Sequence, residues 1–565
     1  MNRVFSQFDF SGGSNLLIDP TNLGGKEYFL LINGRNRYET ITSIKEPLIS
    51  EDLPAGRYQG CYGAGNIVIV FISGLAYYKD FSNPSSTYLK VDGFSMNAAE
   101  DFLYACLVPA STVNFTRIPT SSNINGPVNL TLALTASPQC LVVQDGINQP
   151  MLIFSTGGSR PAATYDQWTK DDNREYVPIG KQMLYHNGIL YIVCKDVNGR
   201  YTLLGRSVTG RPLDFMVNIT QSGDKLPLEK DGGANSVAYR VDYNEITALQ
   251  SVNDANGGFY VSTLRTSYIV TPNFDITFFG EPTFRSTFLF SAGAINNFSV
   301  TDVLGDTALI DFAGITSFNS VAQFRVEGKN SPFSAKLATL FNGITQSVNA
   351  ATNFDNYCFF SMDTVFGPAI IVYDTLRQSF VGIDQFSNLG VDETGFPARI
   401  KMFCEIKTNL GRRFFFITTS NKFCEYFGSS TTATCSLFTK EFCSGDPKIS
   451  TKPVALQPIF SDAQENGLIS AAVYVDRILS DTGDVDISRS LVIPTPPIAP
   501  PFGNYSRENI ENDKINFFES SQGYQTMVKI SWNFTGTLTG FNLMSVDMPS
   551  DSSLAQQARN YAASN

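Results

Sequence analysis

One histidine, His186, is all the imidazole this chain has, and it sits in the turn of LYHNGILY (184–191). With no second histidine, a Ser-His-Asp relay or a histidine-based metal site has almost nothing to work with. Beside Asn187 and Gly188, His186 is expected to be a solvated turn residue. Nine cysteines stand at 61, 106, 140, 194, 358, 404, 424, 435 and 443, an odd number with no CxxC pair. Most fall in apolar segments, such as Cys194 in LYIVCKD and Cys358 in NYCFFS, and read as reduced, buried small hydrophobes. Cys404, Cys424, Cys435 and Cys443 have no zinc spacing, and the sequence leaves open whether they pair.

The remaining motifs are turns. GAGNIV (63–68) lacks the third glycine of a dinucleotide loop and runs into a strand instead of a helix. GGKEYF (24–29) lacks the phosphate-loop spacing and the Ser/Thr after its lysine. Carboxylate pairs exist by number, but without a cleft to place them none is singled out as an acid/base pair. Sequons such as Asn297–Ser299 are expected by chance in so Asn-, Ser- and Thr-rich a chain. The basic pairs Arg35/Arg37 and Arg412/Arg413 flank turns. Each reads as a solvated hairpin end, the alternative being a contact to nucleic acid or to an acidic partner. No catalytic, cofactor-binding or metal-ligating residue is assigned, no cofactor is expected, and the chain reads as a non-enzyme.

The elements that would position any site are more legible. An apolar stretch, a Gly-centred turn and a second apolar stretch recur at 63–78, 140–154, 184–205, 248–270, 299–318, 356–374 and 402–427. β-Branched and aromatic residues around Gly, Asn or Asp make each a β-hairpin. The turn glycines are Gly65, Gly146, Gly188, Gly257, Gly305, Gly367 and Gly411. Three of their spacings fit a four-stranded blade of about 40–50 residues. The longer ones fit a blade with an inserted loop, and the first, from Gly65 to Gly146, is long enough for a further blade or an inserted domain. The fold class predicted is all-β, a β-propeller-like repeat body with additional small β domains. Helix should stay under about 15%. The best helical candidate is PFSAKLATLFNGI (332–344), packed on a sheet edge.

Three regions are expected: N-terminal strands over 1–50, a propeller-like body over 51–440, and a C-terminal β element over 441–565. PTPPIAPP (494–501) is the clearest breaker, since proline at that density cannot sit inside a sheet. Beyond it, MVKISWNF (527–534) places Val528, Ile530, Trp532 and Phe534 on one face. The turn TGTLTG (535–540) and FNLMSV then complete an amphipathic hairpin, with Trp532 buried and the element touching another segment or a neighbouring subunit. Residues from about Ser550 are small and polar, expected to order only against a partner.

Length and composition bound the rest. A chain of 565 residues, 43% apolar with only 16% charged, can bury large cores and has surface to spare for other subunits. A net charge of −11 argues against gripping phosphate backbones, though not against letting DNA slide past. The start, MNRVFSQFDFSGGSN, shows no signal-peptide core, and 67–78 is too short to span a bilayer. A soluble product folded in a cytoplasm is expected.

Four stretches in order resemble a family. DFSGGSNLLIDPTNLGGKEYFLLINGR (9–35) looks like the opening of certain phage virion proteins. QDGINQPMLIF (144–154) resembles their recurrent DG-N-P hairpin. GRSVTGRPLDFMVN (205–218) looks like their S-x-x-G-x-P-L-D-F blade segment, and IIVYDTLRQSFVGID (370–384) their YDT blade end, with Phe380 where an aromatic is usual. Together they are similar to the tail nozzle proteins, or tail tubular protein B, of short-tailed bacteriophages, over roughly 9–430. The resemblance implies a structural virion protein: a homohexameric ring at the distal end of the tail, assembled in the host cytoplasm. Such a ring stacks on the tail adaptor ring, docks tail fibres, and surrounds and gates the DNA ejection channel. The family has no catalytic residues to carry over. Passing duplex DNA would be a partner without specific binding, and the turns 253–258 and 534–540 are candidate gates. The alternatives are another tail component, such as a fibre-docking, ring or receptor-binding protein, and a propeller enzyme or glycan binder. One histidine and two tryptophans supply the last poorly.

Overall fold

The structure is a computed structural model. It describes residues 2–109, 139–162, 177–215, 218–219, 225–226, 239–317, 334–444, 449–461, 467–487 and 514–549, less 84, 155–157, 197, 253–256, 279–280, 313, 342–343, 345, 347 and 410. The Pro-rich stretch 494–501, most of the turn 253–258 and the tail from 550 lie outside the described residues.

The described strands build seven radial antiparallel sheets. Blade 1 spans 58–90, blade 2 spans 104–161, blade 3 spans 180–215, blade 4 spans 246–290, blade 5 spans 300–317, blade 6 spans 350–384 and blade 7 spans 400–425. The first strands of successive blades touch in turn around the ring, and Ile400–Thr408 of blade 7 returns against Tyr58–Ala64 of blade 1. The outer strand of blade 7, Leu48–Ile49, comes from the N-terminal region and pairs with Phe423–Glu425. Early and late segments thus close the ring within one sheet. The chain is a β-propeller, with 59% of the described residues in strand and 3% in helix.

Burial explains why these segments read as strands. Ile67–Ile72 (IVIVFI) is buried at every position. Ile67, Ile69 and Phe71 pack against blade 2, while Val68, Val70 and Ile72 pack against blade 7. Ile189–Cys194 repeats the pattern between blades 2 and 4. A strand covered on both faces needs a continuous apolar run instead of alternation. Each fully buried Val, Ile or Phe contributes about 1.5–3 kcal/mol. Every interface between neighbouring blades has its own apolar cluster.

Each of the seven hairpins falls in a different blade, but not at equivalent turns. Gly65, Gly188, Gly257, Gly305 and Gly411 lie between first and second strands, whereas Gly146 and Gly367 lie between second and third. That offset produces much of the irregular spacing. The first-to-second turn of blade 6 is Asp355-Asn356, where Asp355 takes φ +54 without a glycine. The long first spacing holds no further blade in the ring, because the first strands of blades 1 and 2 are in contact; residues 110–138 between them lie outside the described residues. Of the expected helix 332–344, the described part is a short turn, Ala335–Leu337 then Ala338–Phe341, whose Leu337, Leu340 and Phe341 pack between blades 5 and 6.

The two ends of the chain form a second layered unit beside blades 6 and 7. One layer continues blade 6 through Leu30–Ile32, Cys435–Phe438, Gln525–Trp532, Gly467–Val475 and Ile478–Ile487. The other contains Asn2–Gln7, Gly34–Arg37, Thr40–Ser43, Ile449–Ser461, Ile515–Asn516 and Thr537–Pro549. Residues of the expected regions 1–50 and 441–565 therefore pair with one another. Trp532 is 1% exposed, and Val528, Ile530 and Phe534 share its core. The expected hairpin over 527–546 is corrected: Gln525–Trp532 and Thr537–Pro549 belong to different sheets, and 533–536 crosses between them. Two amphipathic strands joined by a short turn can face each other across a core as readily as pair edge to edge.

Candidate binding surfaces of the propeller

The axis of the propeller is closed at the face where the chain enters each first strand. Phe298, just before blade 5, stacks on Tyr104 of blade 2 at 5.9 Å and 9°, and meets Phe102 at 5.2 Å. Blades 2 and 5 stand on opposite sides of the ring, so these rings span it. Lys401 of blade 7 seals the same place: Nζ donates to the carbonyls of Tyr58 (2.9 Å) and Asp101 (2.8 Å) and lies 4.9 Å from the Phe102 ring centre. Burial pushes Lys401 down to about 8, opposed by Asp101 and reinforced by Arg57.

The opposite face carries the turns between first and second strands. There the two basic pairs, far apart in sequence, line one cleft where the hairpin 34–43 meets blades 6 and 7. The cleft has two lobes of about 680 and 520 Å³ that share Arg37, Asp355, Tyr357 and Arg412. Arg35 forms its floor. It is 4% exposed and donates to Asp384 at 2.8 and 2.5 Å, and the Tyr426 hydroxyl donates to the same carboxylate at 2.5 Å. Burial lowers the Arg35 pKa, but the Asp384 charge and hydrogen bonds outweigh it and hold the guanidinium ionised. Its Nε has no hydrogen-bond partner. Arg412 pairs with Asp355 and Glu405, and Arg413 with Glu425. Arg377 donates to the carbonyl and the side chain of Asn36. Arg37 and Lys45 are exposed and make no ion pair among the described residues. Tyr38 stands at the mouth, 84% exposed. Each basic pair is therefore divided: Arg37 and Arg412 are exposed beside their turns, Arg412 with ion pairs, whereas Arg35 is buried and Arg413 half-buried in the walls.

Other expectations fare variously. His186 is corrected: it is 9% exposed, with Nδ1 2.8 Å from Ser251 Oγ and Nε2 3.2 Å from the Gly257 carbonyl. It tacks the turns of blades 3 and 4 together, a role invisible until the blades are adjacent. All nine cysteines are free, and Cys443 is exposed, so Cys404, Cys424, Cys435 and Cys443 do not pair. The turn 534–540 is docked, with Phe534 and Leu538 at 0% exposure, and offers no free gating loop. Among the described residues no helix is long and apolar enough to cross a membrane, and no three His, Cys, Asp or Glu side chains converge on a metal-sized site. An exposed apolar group missed in the sequence, Ile478, Leu479, Phe518 and Tyr524, lies at and beside the outer strand Ile478–Ile487.

No protein-family model matches the chain, and no curated protein matches it. Solved structures that it resembles include BBS1N in complex with ARL6DN (9% identity, 68% of this chain and 98% of that one, TM-score 0.35). The Dos1 propeller (10%, 69% and 96%, 0.34) and Kluyveromyces lactis Hsv2 (7%, 69% and 95%, 0.31) are others. At these scores the likenesses say nothing of function; the propeller rests on the chain's own seven sheets.

Proposed function

We propose that the chain is a structural virion protein, a subunit of the tail nozzle ring of a short-tailed phage. The ring would continue and gate the DNA ejection channel and dock to the tail adaptor and fibres. The observation that carries this reading is where the four family-like stretches fall: each is a joint of the propeller. In 9–35, Ser14 and Tyr28 donate to the Val381 carbonyl, and Gly13 lies against Phe380. The first stretch therefore docks on the last, 370–384, where Tyr373 and Phe380 meet edge to face at 5.0 Å. In 144–154, Asp145 accepts from the backbone of Ile147, Asn148 and Asn97, pinning the blade 2 turn to the preceding loop. In 205–218, Leu213 and Phe215 are buried between blades 2 and 3, beyond a Gly210 at φ +75.

The closed axis supports a second part of the reading. With Phe102, Tyr104 and Phe298 across it, a DNA path would run between subunits of a ring and not through one propeller. A net charge of −11 suits a wall past which phosphates slide. Immunogold labelling of phage particles with antibodies to this protein tests the placement. Gold at the tail end distal to the capsid is the expected result; gold on the capsid, or none on particles, contradicts it.

A further inference from the structure

We infer that the arginine-lined cleft between the 34–43 hairpin and blades 6 and 7 is a binding site for an acidic peptide segment. The inference stands on the cleft alone and does not need the ring. Its lobes are each of the size that holds a small ligand or a few side chains. On a chain of net charge −11, Arg37 and Lys45 place two uncompensated cations at its wall. Arg35 leaves a buried N–H without an acceptor at its floor. Arg37 and Lys45 are donors awaiting carboxylates.

The lining also argues against nucleic acid. Asp355, Asp374 and Glu425 stand among the cations. They would repel a run of phosphates, whereas a peptide brings backbone N–H donors that carboxylates accept. Two free cations would give duplex DNA a salt slope of only about −2, too little for firm binding at physiological salt. A rigid duplex also cannot enter lobes of this size, while side chains can. Tyr38 at the mouth and the half-exposed Phe427 in the wall offer apolar contacts to residues flanking the acidic ones.

Fluorescence anisotropy of the full-length protein tests this at 50 and 200 mM salt. The probes are a labelled decapeptide of alternating Asp and Tyr, a Ser-Gly decapeptide, and a labelled 20-base-pair duplex. Binding of the acidic peptide alone is expected, weakened by salt and at least tenfold by Arg37→Glu with Lys45→Glu. Both side chains are exposed and unpaired, and an unchanged melting temperature checks the fold. Tyr38→Ala, which changes no charge, is expected to weaken the peptide several-fold. The inference is overturned if the peptide does not bind at 50 mM salt, if charge reversal leaves binding unchanged, or if the duplex binds more tightly than the peptide and loses binding on the same reversal.

Discussion

Gly63 stands at the seam that closes the propeller. A Cβ there would lie 1.8 Å from the Glu405 carbonyl oxygen, across the contact between blades 1 and 7. The obstacle is backbone, so no side chain can turn aside. Gly63→Ala should therefore destabilise by about 3 kcal/mol, the upper part of the overpacking range, and lower the first thermal transition. Gly25→Ala, with nothing within 4 Å, is the control and should leave it in place. Lys401 supplies a pH signature at the closed axis. Its folded value, about 8, lies below the ordinary 10.5, so between these values the unfolded chain binds more protons than the folded one. Stability then rises with pH across that window, and the penalty for burying the ammonium is full below pH 8. Lys401→Met should remove this slope. Melting temperatures from pH 7 to 10 should show wild type gaining on the variant as pH rises; parallel curves would contradict the burial.

At the scale of elements, the crossing at 533–536 predicts how the C-terminal strands respond to mutation. Trp532 fills the space between two sheets against Phe460, at 5.2 Å between ring centres. Trp532→Ala should cost about 3–5 kcal/mol. The indole N–H has no partner, so Trp532→Phe loses volume but no hydrogen bond and should cost clearly less. Chemical denaturation followed by tyrosine emission and far-UV circular dichroism measures both, and equal losses would show that the N–H matters after all. The alternation of MVKISWNF was enough to say which side chains are buried, because burial alternates with the pleat whatever the strand pairs with. It was silent on the partner, because one-faced strands serve a hairpin and a sheet-to-sheet crossing alike. The same limit applies to blade 7, closed by two residues, Leu48–Ile49, too short to carry any period.

For the whole molecule, the seven glycine turns were the legible part, one for each blade, since tight turns and doubly covered strands write themselves into local sequence. What brings distant segments together did not. The cleft joins arginines more than 370 positions apart in sequence, and His186 is buried only because blade 4 lies against blade 3. Ring closure decides both, and no local pattern encodes it. The assembly reading extends the argument to contacts between copies, where the exposed Ile478, Leu479, Phe518 and Tyr524 at an outer strand are apolar surface open to a neighbour. The most direct test is negative-stain imaging with symmetry analysis of the purified, assembled protein. A closed ring, six-fold, with a central opening wider than duplex DNA is the predicted result; a monomer at assembly concentrations, or a particle without a central opening, would contradict the account.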